Sequence, residues 1–490
     1  MIRPVRALLP IVLFAALSVT HSPAVEGASR GLADDPRVAD AVKAWEEWIE
    51  YQAGINRIPG MSIGIVHDQE LLTTSAFGFA NPEAGKRATP ETLYSICSIS
   101  KLFTSVAVMR QRDAGKLRLD DKVTEHLPWF NLGDVHPGDG PITIRGLLTH
   151  SSGLPRESDY PYWTDGNYPF PTRDQIKARL GDQETLYPAS RYFQYSNLAL
   201  TMAGEIVAAT SGVPYGDYIR ANILDPLGMK NTFTEIPKEL RGDRLAIGHS
   251  ARGRNGTRDV VAPFQARGIA PAAGFASNVG DLAKFAMWQF RLVSDGGDEV
   301  LRASTLREMH RVHWVDPDWK TTWGLGFAVA HVGERTFVSH GGGCPGYYTH
   351  FRLEPKTKIA AIVLTNSIGS EVGFYTEKAF DLVAPAIKKA LDDPKGAPKR
   401  DRSLDRYVGV YDSIWGQTAI VRWDDGLAAL GLRSRDPKGG LTKLKKTGEH
   451  IFRRIRKDDE SLGETFVFDV ADDGTVTRFK SHSNWSVKVR

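Results

Sequence analysis

The chain has 490 residues, and its 62 lysines and arginines against 58 aspartates and glutamates give a formal net charge of only +4. Hydrophobic residues make up 41% and charged residues 24%, values typical of soluble globular proteins, so the composition argues against a disordered or membrane-embedded chain. The small net charge also argues against a nucleic-acid-binding surface, and the length predicts roughly two to four structural units.

The first residues have the pattern of a secretory signal peptide. Two arginines precede an apolar run at 7–19, and small residues follow at 24, 27 and 28. A single membrane anchor is the alternative, but the run is shorter than the about 20 residues that cross a bilayer. We therefore predict a signal peptide at 1–28, export to the periplasm or the medium, and no stable membrane anchor after its removal.

The elements predicted along the chain change character near residue 392. Before it, apolar residues recur at helical steps in several segments, while short runs rich in β-branched residues predict strands. The stretch between 150 and 195 is rich in proline and tyrosine, so we expect loops that border a cleft. The predicted helices are 36–53, 98–114, 198–210 and 371–391, and the predicted strands are 61–66, 71–77, 337–339, 347–353 and 359–364.

A linker is expected at 392–402, where the sequence DDPKGAPKRDR consists almost entirely of charged residues, proline and glycine. Beyond it, short strand-like segments follow one another, and Asp-Asp-Gly turns separate two pairs of them. This rhythm predicts a small all-β unit at 403–490, either an antiparallel barrel or a sandwich.

Ser98 and Lys101 form an S-x-x-K motif at the start of the predicted helix 98–114. Three residues are nearly one helical turn, so we expect the amine to lie beside the hydroxyl on one face. A serine at a helix N-terminus also has free backbone N–H groups nearby, which suits the oxyanion of an acyl transfer. The S-x-x-K motif alone is weak evidence for a catalytic serine, because about one or two such matches are expected by chance in a chain of this length.

Two more motifs follow. Tyr195 and Asn197 form a Y-x-N before a predicted helix, and residues 340–342 form an H-x-G on a predicted strand. With these, the sequence resembles the serine β-lactamase and penicillin-recognising family, closest to its class C β-lactamase-like branch. The resemblance extends over about 59–367 and includes the segments TIRGLLTHSSGLP, YSNLALTMAGEIV, WGLGF and HGGGCPGY, in family order.

The resemblance implies an α+β fold at 29–391, an α/β/α sandwich on an antiparallel sheet with a helical subdomain. The unit at 403–490 resembles the lipocalin-like barrels of some family peptidases, which border the active site or mediate assembly. Ser98 would form the acyl-enzyme, and Lys101 and Tyr195 would share the general-base and general-acid work. The backbone N–H groups of Ser98 and Gly343 would form the oxyanion hole. The residues implied to bind substrate are Asn197, His340, Gly342 and Gly343.

The third motif departs from the pattern of penicillin-binding enzymes and class C β-lactamases, which have Lys followed by Ser or Thr to hold the substrate carboxylate. His340 and Gly341 stand there instead. This favours a peptidase or esterase acting on small peptides or esters. The alternatives are a β-lactamase or D-Ala-D-Ala carboxypeptidase, and a slowly deacylating penicillin-binding or sensor protein. His150, in LLTHSSG, is interpreted as a structural residue that orders a loop by hydrogen bonding.

The two cysteines, Cys97 and Cys344, each adjoin a proposed oxyanion donor. Both donors must lie about 3 Å from one oxygen atom, so the two segments approach closely. A disulfide is possible if direction as well as distance suits, and two buried free thiols are the alternative. No metal-type spacing of Cys or His occurs, so we predict no metal and no cofactor. The expected partners are a small-molecule, ester or peptide substrate and no nucleic acid.

Overall fold

The computed structural model describes residues 31–136, 138–164, 166 and 168–490, so the predicted signal peptide lies outside the described residues. Short 3-10 turns precede several elements, among them Cys97–Ile99, which leads into the second helix. The α-helices are α1 (Pro36–Ile55), α2 (Ser100–Asp113), α3 (Val123–His126), α4 (Ile144–Thr149), α5 (Arg173–Arg179), α6 (Asn197–Ser211), α7 (Tyr215–Ile219), α8 (Ala270–Ala273), α9 (Val279–Asp295), α10 (Ala303–Met309), α11 (Val372–Asp392) and α12 (Pro437–Gly440).

The strands fall into one large sheet, one small pair and one barrel. The sheet and the pair use β1 (Gly60–His67), β2 (Glu70–Asn81), β3 (Lys86–Arg87), β4 (Tyr94–Ser95), β5 (Ala276–Ser277), β6 (Trp314–Val315), β7 (Thr322–Trp323), β8 (Ala328–Val332), β9 (Arg335–Cys344), β10 (Tyr347–Glu354) and β11 (Ile359–Thr365). The barrel uses β12 (Gly409–Ser413), β13 (Gly416–Trp423), β14 (Gly426–Gly431), β15 (Leu441–Gly448), β16 (Ile451–Ile455), β17 (Leu462–Val470), β18 (Val476–Ser481) and β19 (Asn484–Lys488).

The large sheet is antiparallel and has nine strands in the order β3-β2-β1-β11-β10-β9-β8-β7-β6. Strand β9 pairs with β10 so that His340 lies opposite Phe351 and Gly343 opposite Tyr348. Strand β8, on its other side, accompanies β9 only as far as Ser339. Within the described chain, the remaining backbone edge of β9, residues 340–344, therefore has no neighbouring strand.

Helices cover both faces of this sheet. On one face, α1 and α11 bury Trp45, Trp48 and Tyr375 against β1 and β11. On the other face, residues of α2, α6, α8 and α9 form a second core with the opposite side chains of the same strands, such as Ile362 and Leu364. The predicted α+β fold, with an α/β/α sandwich and a helical subdomain, is confirmed.

Strands β12 to β19 close into a barrel, because β19 pairs back onto β12 with Val487 opposite Asp412. Aromatic side chains fill its interior, among them Tyr411, Phe452, Phe468 and Phe479. The all-β unit is thus a barrel rather than a sandwich. On the outside, apolar residues of β13 and β14 join the core around α1 and α11.

Two of the barrel strands have side chains that are unusual for strands. In β15, lysines at 443, 445 and 446 surround the buried Leu444, and lysine is disfavoured in strands. In β19, Trp485 and Val487 point outward and are exposed, which reverses the usual apolar-inward alternation. Pairing with neighbouring strands, rather than side-chain preference, places both segments in the barrel.

Candidate active site

Five of the predicted site residues, Ser98, Tyr195, His340, Gly342 and Gly343, line one cleft of about 680 Å³, while Lys101 and Asn197 are buried behind its wall. It is bounded by the turn before α2, the segment before α6, the open edge of β9, and the first turn of α11. Apolar and aromatic side chains make up much of its wall. The lining residues used below are Ser98, Arg156, Phe193, Tyr195, Trp323, His340, Gly341, Gly342, Gly343, Tyr348, Glu371 and Phe374.

Ser98 lies in the 3-10 turn Cys97–Ile99, and the α-helix begins at Ser100, so the predicted helix start at Ser98 is wrong by two residues. The physical reason is the backbone of Cys97, whose φ of 49° is left-handed and breaks the helical path just before the serine. A non-glycine residue in this region is strained and is found at functional turns. The half-buried Ser98 is thereby presented at the cleft wall.

Lys101, in the first turn of α2, is fully buried and aims its amine at the serine. Nζ lies 3.1 Å from Ser98 Oγ, 2.7 Å from Asn197 Oδ1 and 2.8 Å from the carbonyl oxygen of Ala272. Burial lowers the pKa of Lys101 well below its ordinary value, although the nearby Glu157 carboxylate opposes this shift. The amine is therefore held within reach of the hydroxyl in an environment that disfavours its charge.

Tyr195 stands across from Lys101, whose Nζ lies 4.9 Å from the centre of the phenol ring. The guanidinium of Arg156 lies 5.0 Å from the same ring centre. Burial raises the pKa of Tyr195, while the Ser98 side chain and Arg156 act in the opposite direction. The phenol is therefore protonated at neutral pH.

Asn197 is the first residue of α6 and connects Lys101 to a carboxylate. Its Nδ2 donates to Oε1 of Glu157 at 2.7 Å, while its Oδ1 accepts from Lys101. Because a carboxylate only accepts, this bond fixes which end of the amide faces the lysine. Glu157 was not among the residues predicted from the sequence; it follows the LTHSSGLP segment, but no motif marks it as functional.

His340 is 4% exposed and lies at the point where the edge of β9 becomes free. Its Nδ1 is 2.6 Å from the carbonyl oxygen of Gly341, so Nδ1 carries the proton in this contact. Nε2 is buried and has no hydrogen-bond partner among the described residues. Burial lowers the pKa of His340 to about 3, so the ring that lines the cleft is neutral.

The glycines after His340 allow β9 to approach the nucleophile turn. A Cβ on Gly342 would lie 2.2 Å from the carbonyl oxygen of Ile96, so only glycine fits there. Gly343 is exposed and lines the cleft together with Ser98. The two predicted oxyanion donors thus belong to segments in direct contact.

A disulfide joins Cys97 to Cys344, with their Cα atoms 5.7 Å apart. Of the two outcomes that the sequence left open, the structure shows the bonded one. The bond connects the residue before Ser98 to the residue after Gly343, and so ties together the segments that hold the two oxyanion donors.

His150 supports Tyr195 from behind, a position consistent with its interpretation as a loop-ordering residue. Its Nδ1 accepts from the backbone N–H of Ser196 at 3.1 Å, and its ring centre lies 4.3 Å from that of Tyr195. Trp323 closes this aromatic group, with its ring 5.2 Å from His150 and 5.6 Å from His340. From the sequence, Trp323 was noted only as the first residue of the WGLGF segment.

In the part of the chain that the structure describes, no group of three or more His, Cys, Asp or Glu is placed to hold a metal ion. No described helix is long and apolar enough to cross a membrane.

Comparisons with known proteins show which family this chain belongs to. The family model described as Beta-lactamase matches residues 45–384. Penicillin-binding protein 4 of Amycolatopsis lactamdurans is 25% identical over 386 residues, covering 76% of this chain and 98% of that protein. Among solved structures, the octameric penicillin-binding protein homologue from Pyrococcus abyssi matches with a TM-score of 0.61 at 24% identity, over 91% of this chain and all of the other.

A second solved structure, EstCE1, a hydrolase with promiscuous acyltransferase activity, matches with a TM-score of 0.60 at 23% identity. It covers 70% of this chain and 98% of the other. The family model spans more than half of the sequence, and both structures share its fold. This chain therefore belongs to the beta-lactamase family.

Proposed function

We propose that the protein is a serine hydrolase that cleaves amide or ester bonds of small peptides or esters through an acyl-enzyme on Ser98. The observation that carries the proposal is the position of Lys101 Nζ, 3.1 Å from Ser98 Oγ inside a cleft. A serine hydroxyl is a weak nucleophile until an adjacent base removes its proton.

Lys101 is suited to act as that base because of what surrounds its amine. Two of its neighbours, Asn197 Oδ1 and the Ala272 carbonyl, can only accept hydrogen bonds. A neutral amine has two N–H groups and one lone pair. With both N–H groups donated to these acceptors, the lone pair faces the third neighbour, the Ser98 hydroxyl.

Tyr195 is suited to the complementary role of proton donor, because its phenol is protonated at rest. In acylation, Ser98 Oγ bonds to the carbonyl carbon and its proton passes to Lys101. The bond to the leaving group then breaks as Tyr195 protonates that group, and the Lys101 ammonium returns a proton to the phenolate. In deacylation, water replaces the leaving group, the acid product departs, and Ser98 regains its proton.

The environment of His340 supports the substrate class that we propose. Because the His340 ring is neutral, it cannot attract a carboxylate by charge. The aromatic walls around it, including Phe193 and Trp323, suit apolar groups. We therefore propose uncharged esters and amides, rather than substrates with a carboxylate beside the scissile bond.

A β-lactamase, D-Ala-D-Ala carboxypeptidase or slowly deacylating penicillin-binding activity is the second candidate. The similarity to penicillin-binding protein 4 favours it, and so does Arg156, a cation that lines the cleft and is able to pair with a carboxylate. However, Arg156 is mostly exposed and already contacts Glu157 at 3.3 Å, which weakens it as an anion clamp.

A substrate panel tests the proposal: p-nitrophenyl esters, D-amino-acid amides, D-Ala-D-Ala peptides and a chromogenic cephalosporin, with and without the Ser98→Ala change. We expect the highest kcat/KM on the esters or amides, and none on any of the four in the variant. Efficient cephalosporin or D-Ala-D-Ala cleavage above ester hydrolysis would establish the second candidate instead.

We also propose that the mature protein works outside the cytoplasm. The signal-peptide pattern at 1–28 supports export, and the Cys97–Cys344 disulfide suits an oxidising compartment. Comparing the N-terminus and location of the protein in cell fractions from the native host tests this.

A further inference from the structure

Arg435, which follows β14 of the barrel, contacts two residues of the cleft wall, Glu371 and Phe374. Its guanidinium binds both carboxylate oxygens of Glu371, with Nη1 3.0 Å from Oε2 and Nη2 2.7 Å from Oε1. The same guanidinium lies 4.5 Å from the ring centre of Phe374. Glu371, the residue just before α11, and Phe374, in the first turn of α11, both line the cleft.

The segment that precedes Arg435 is held in place by α1. The indole N–H of Trp48 donates to the carbonyl oxygen of the preceding residue, Ser434, at 2.7 Å. The amide of Gln52 donates to the carbonyl oxygen of Leu432 at 2.8 Å. Trp48 and Gln52 are buried, so the guanidinium projects from an anchored segment and not from a free loop.

The Arg435–Glu371 ion pair determines the net charge of this part of the cleft wall. Glu371 alone would present a negative charge at the cleft, and the bidentate Arg435 neutralises it and lowers the pKa of the carboxyl below its ordinary value. The barrel therefore changes the charge of the cleft wall through Arg435, although Arg435 itself does not line the cleft.

We propose that Arg435 is a specificity-determining residue: by pairing with Glu371, it removes a negative charge from the cleft wall and prevents a preference for cationic substrates. This rests on the proposed hydrolase function of the same cleft. Removing Arg435 should free the carboxylate to attract a positively charged substrate group. For two partly exposed charges about 8 Å apart, the attraction corresponds to roughly a three- to tenfold change in kcat/KM.

The test compares two p-nitrophenyl esters of equal length, one with a neutral tert-butyl terminus and one with a trimethylammonium terminus. In Arg435→Gln, we expect the cationic-to-neutral ratio of kcat/KM to rise about three- to tenfold, and to fall back as NaCl is raised. In the double variant Arg435→Gln/Glu371→Gln, the ratio should return to the wild-type value. Arg435→Lys keeps the positive charge but loses the bidentate guanidinium. In this variant the cationic-to-neutral ratio should stay near the wild-type value.

Lys389→Gln is the matched control, because Lys389 joins the far end of α11 to the barrel through Asp424, at 2.7 Å and away from the cleft. The cationic-to-neutral ratio of kcat/KM should not change in Lys389→Gln. Equal melting temperatures of all variants would show that the barrel is still folded and docked.

A wild-type ratio in Arg435→Gln, or an altered ratio that persists in the double variant or at high salt, would overturn the inference. Labelling of Ser98 by neutral and cationic fluorophosphonates provides the same ratio without turnover. If Ser98 of the wild type reacts with neither probe and no ester is cleaved, the proposed function itself fails. If it reacts but the variants show no charge preference, only the role of Arg435 fails.

Discussion

The side-chain amide of Asn197 donates a 2.7 Å hydrogen bond to Glu157, and this turns its oxygen toward Nζ of Lys101. Glu157 thereby acts on the lysine in two ways. It orients the amide, and its negative charge raises the pKa of Lys101 against the lowering caused by burial.

Glu157→Gln removes the charge but keeps an acceptor for Asn197. Activity requires the neutral amine, so kcat/KM should rise with pH through the pKa of Lys101. Losing the carboxylate lowers that pKa further, and the acid limb of the pH profile should move to lower pH. An unchanged acid limb measured from pH 4 to 9, or a shift to higher pH, would contradict this role. Glu157→Ala, which also loses the acceptor, should lower kcat in addition.

Ser98→Ala should abolish hydrolysis and covalent labelling by a fluorophosphonate, because the nucleophile has no substitute in that turn. Ser100→Ala is the matched control, since Ser100 belongs to the same S-x-x-K motif but its Oγ accepts from the buried N–H of Phe275. Intact-mass spectra should show one adduct per chain in the control and none in the Ser98 variant. Full labelling of Ser98→Ala would refute the assignment.

Tyr195→Phe should lower kcat by at least about 100-fold with a modest change in KM, the size expected when a general acid is lost. Tyr192→Phe, three residues earlier and exposed, serves as the control and should remain near wild type. Steady-state kinetics on an ester with a poor leaving group gives the clearest contrast. Near-normal turnover in Tyr195→Phe would leave Lys101 with both proton transfers.

His340→Lys restores the cation that penicillin-binding enzymes have in the third motif. We expect the cephalosporin-to-ester ratio of kcat/KM to rise by about tenfold or more, because a buried acceptor becomes a cationic donor. His340→Gln, which stays neutral, should leave the ratio nearly unchanged. If both variants alter the ratio equally, His340 does not select substrates by charge.

The Cys97–Cys344 disulfide predicts no titratable thiol in the denatured, unreduced protein. Its loss in Cys344→Ser should lower the free energy of unfolding by about 2–4 kcal/mol, since the bond closes a loop between residues 247 positions apart. Hydrolysis should also fall severalfold, because the two oxyanion segments are no longer tied. Two free thiols in the purified, exported protein would contradict the bond.

Local patterns were sufficient for the nucleophile region and the fold class. Ser98 and Lys101 are three residues apart, so one turn of backbone brings them together wherever the segment lies. Tyr195 and Asn197 were found from their spacing and family context, and alternating strands with Asp-Asp-Gly turns predicted the all-β unit. Such signals depend on chain geometry within a few residues, and the sequence therefore contains them directly.

The tertiary structure alone decided what surrounds these residues. Arg435 meets Glu371 across 64 positions, Lys101 meets the Ala272 carbonyl across 171, and Glu157 reaches Asn197 across 40. In each case the partner is an ordinary polar group without a local signature. Contacts of this kind result from how helices, sheet and barrel pack, because packing brings together side chains whose separation along the chain carries no periodic signal. The sequence therefore determined which groups are suited to the chemistry, and the packing of distant segments decided their orientation, protonation and charge.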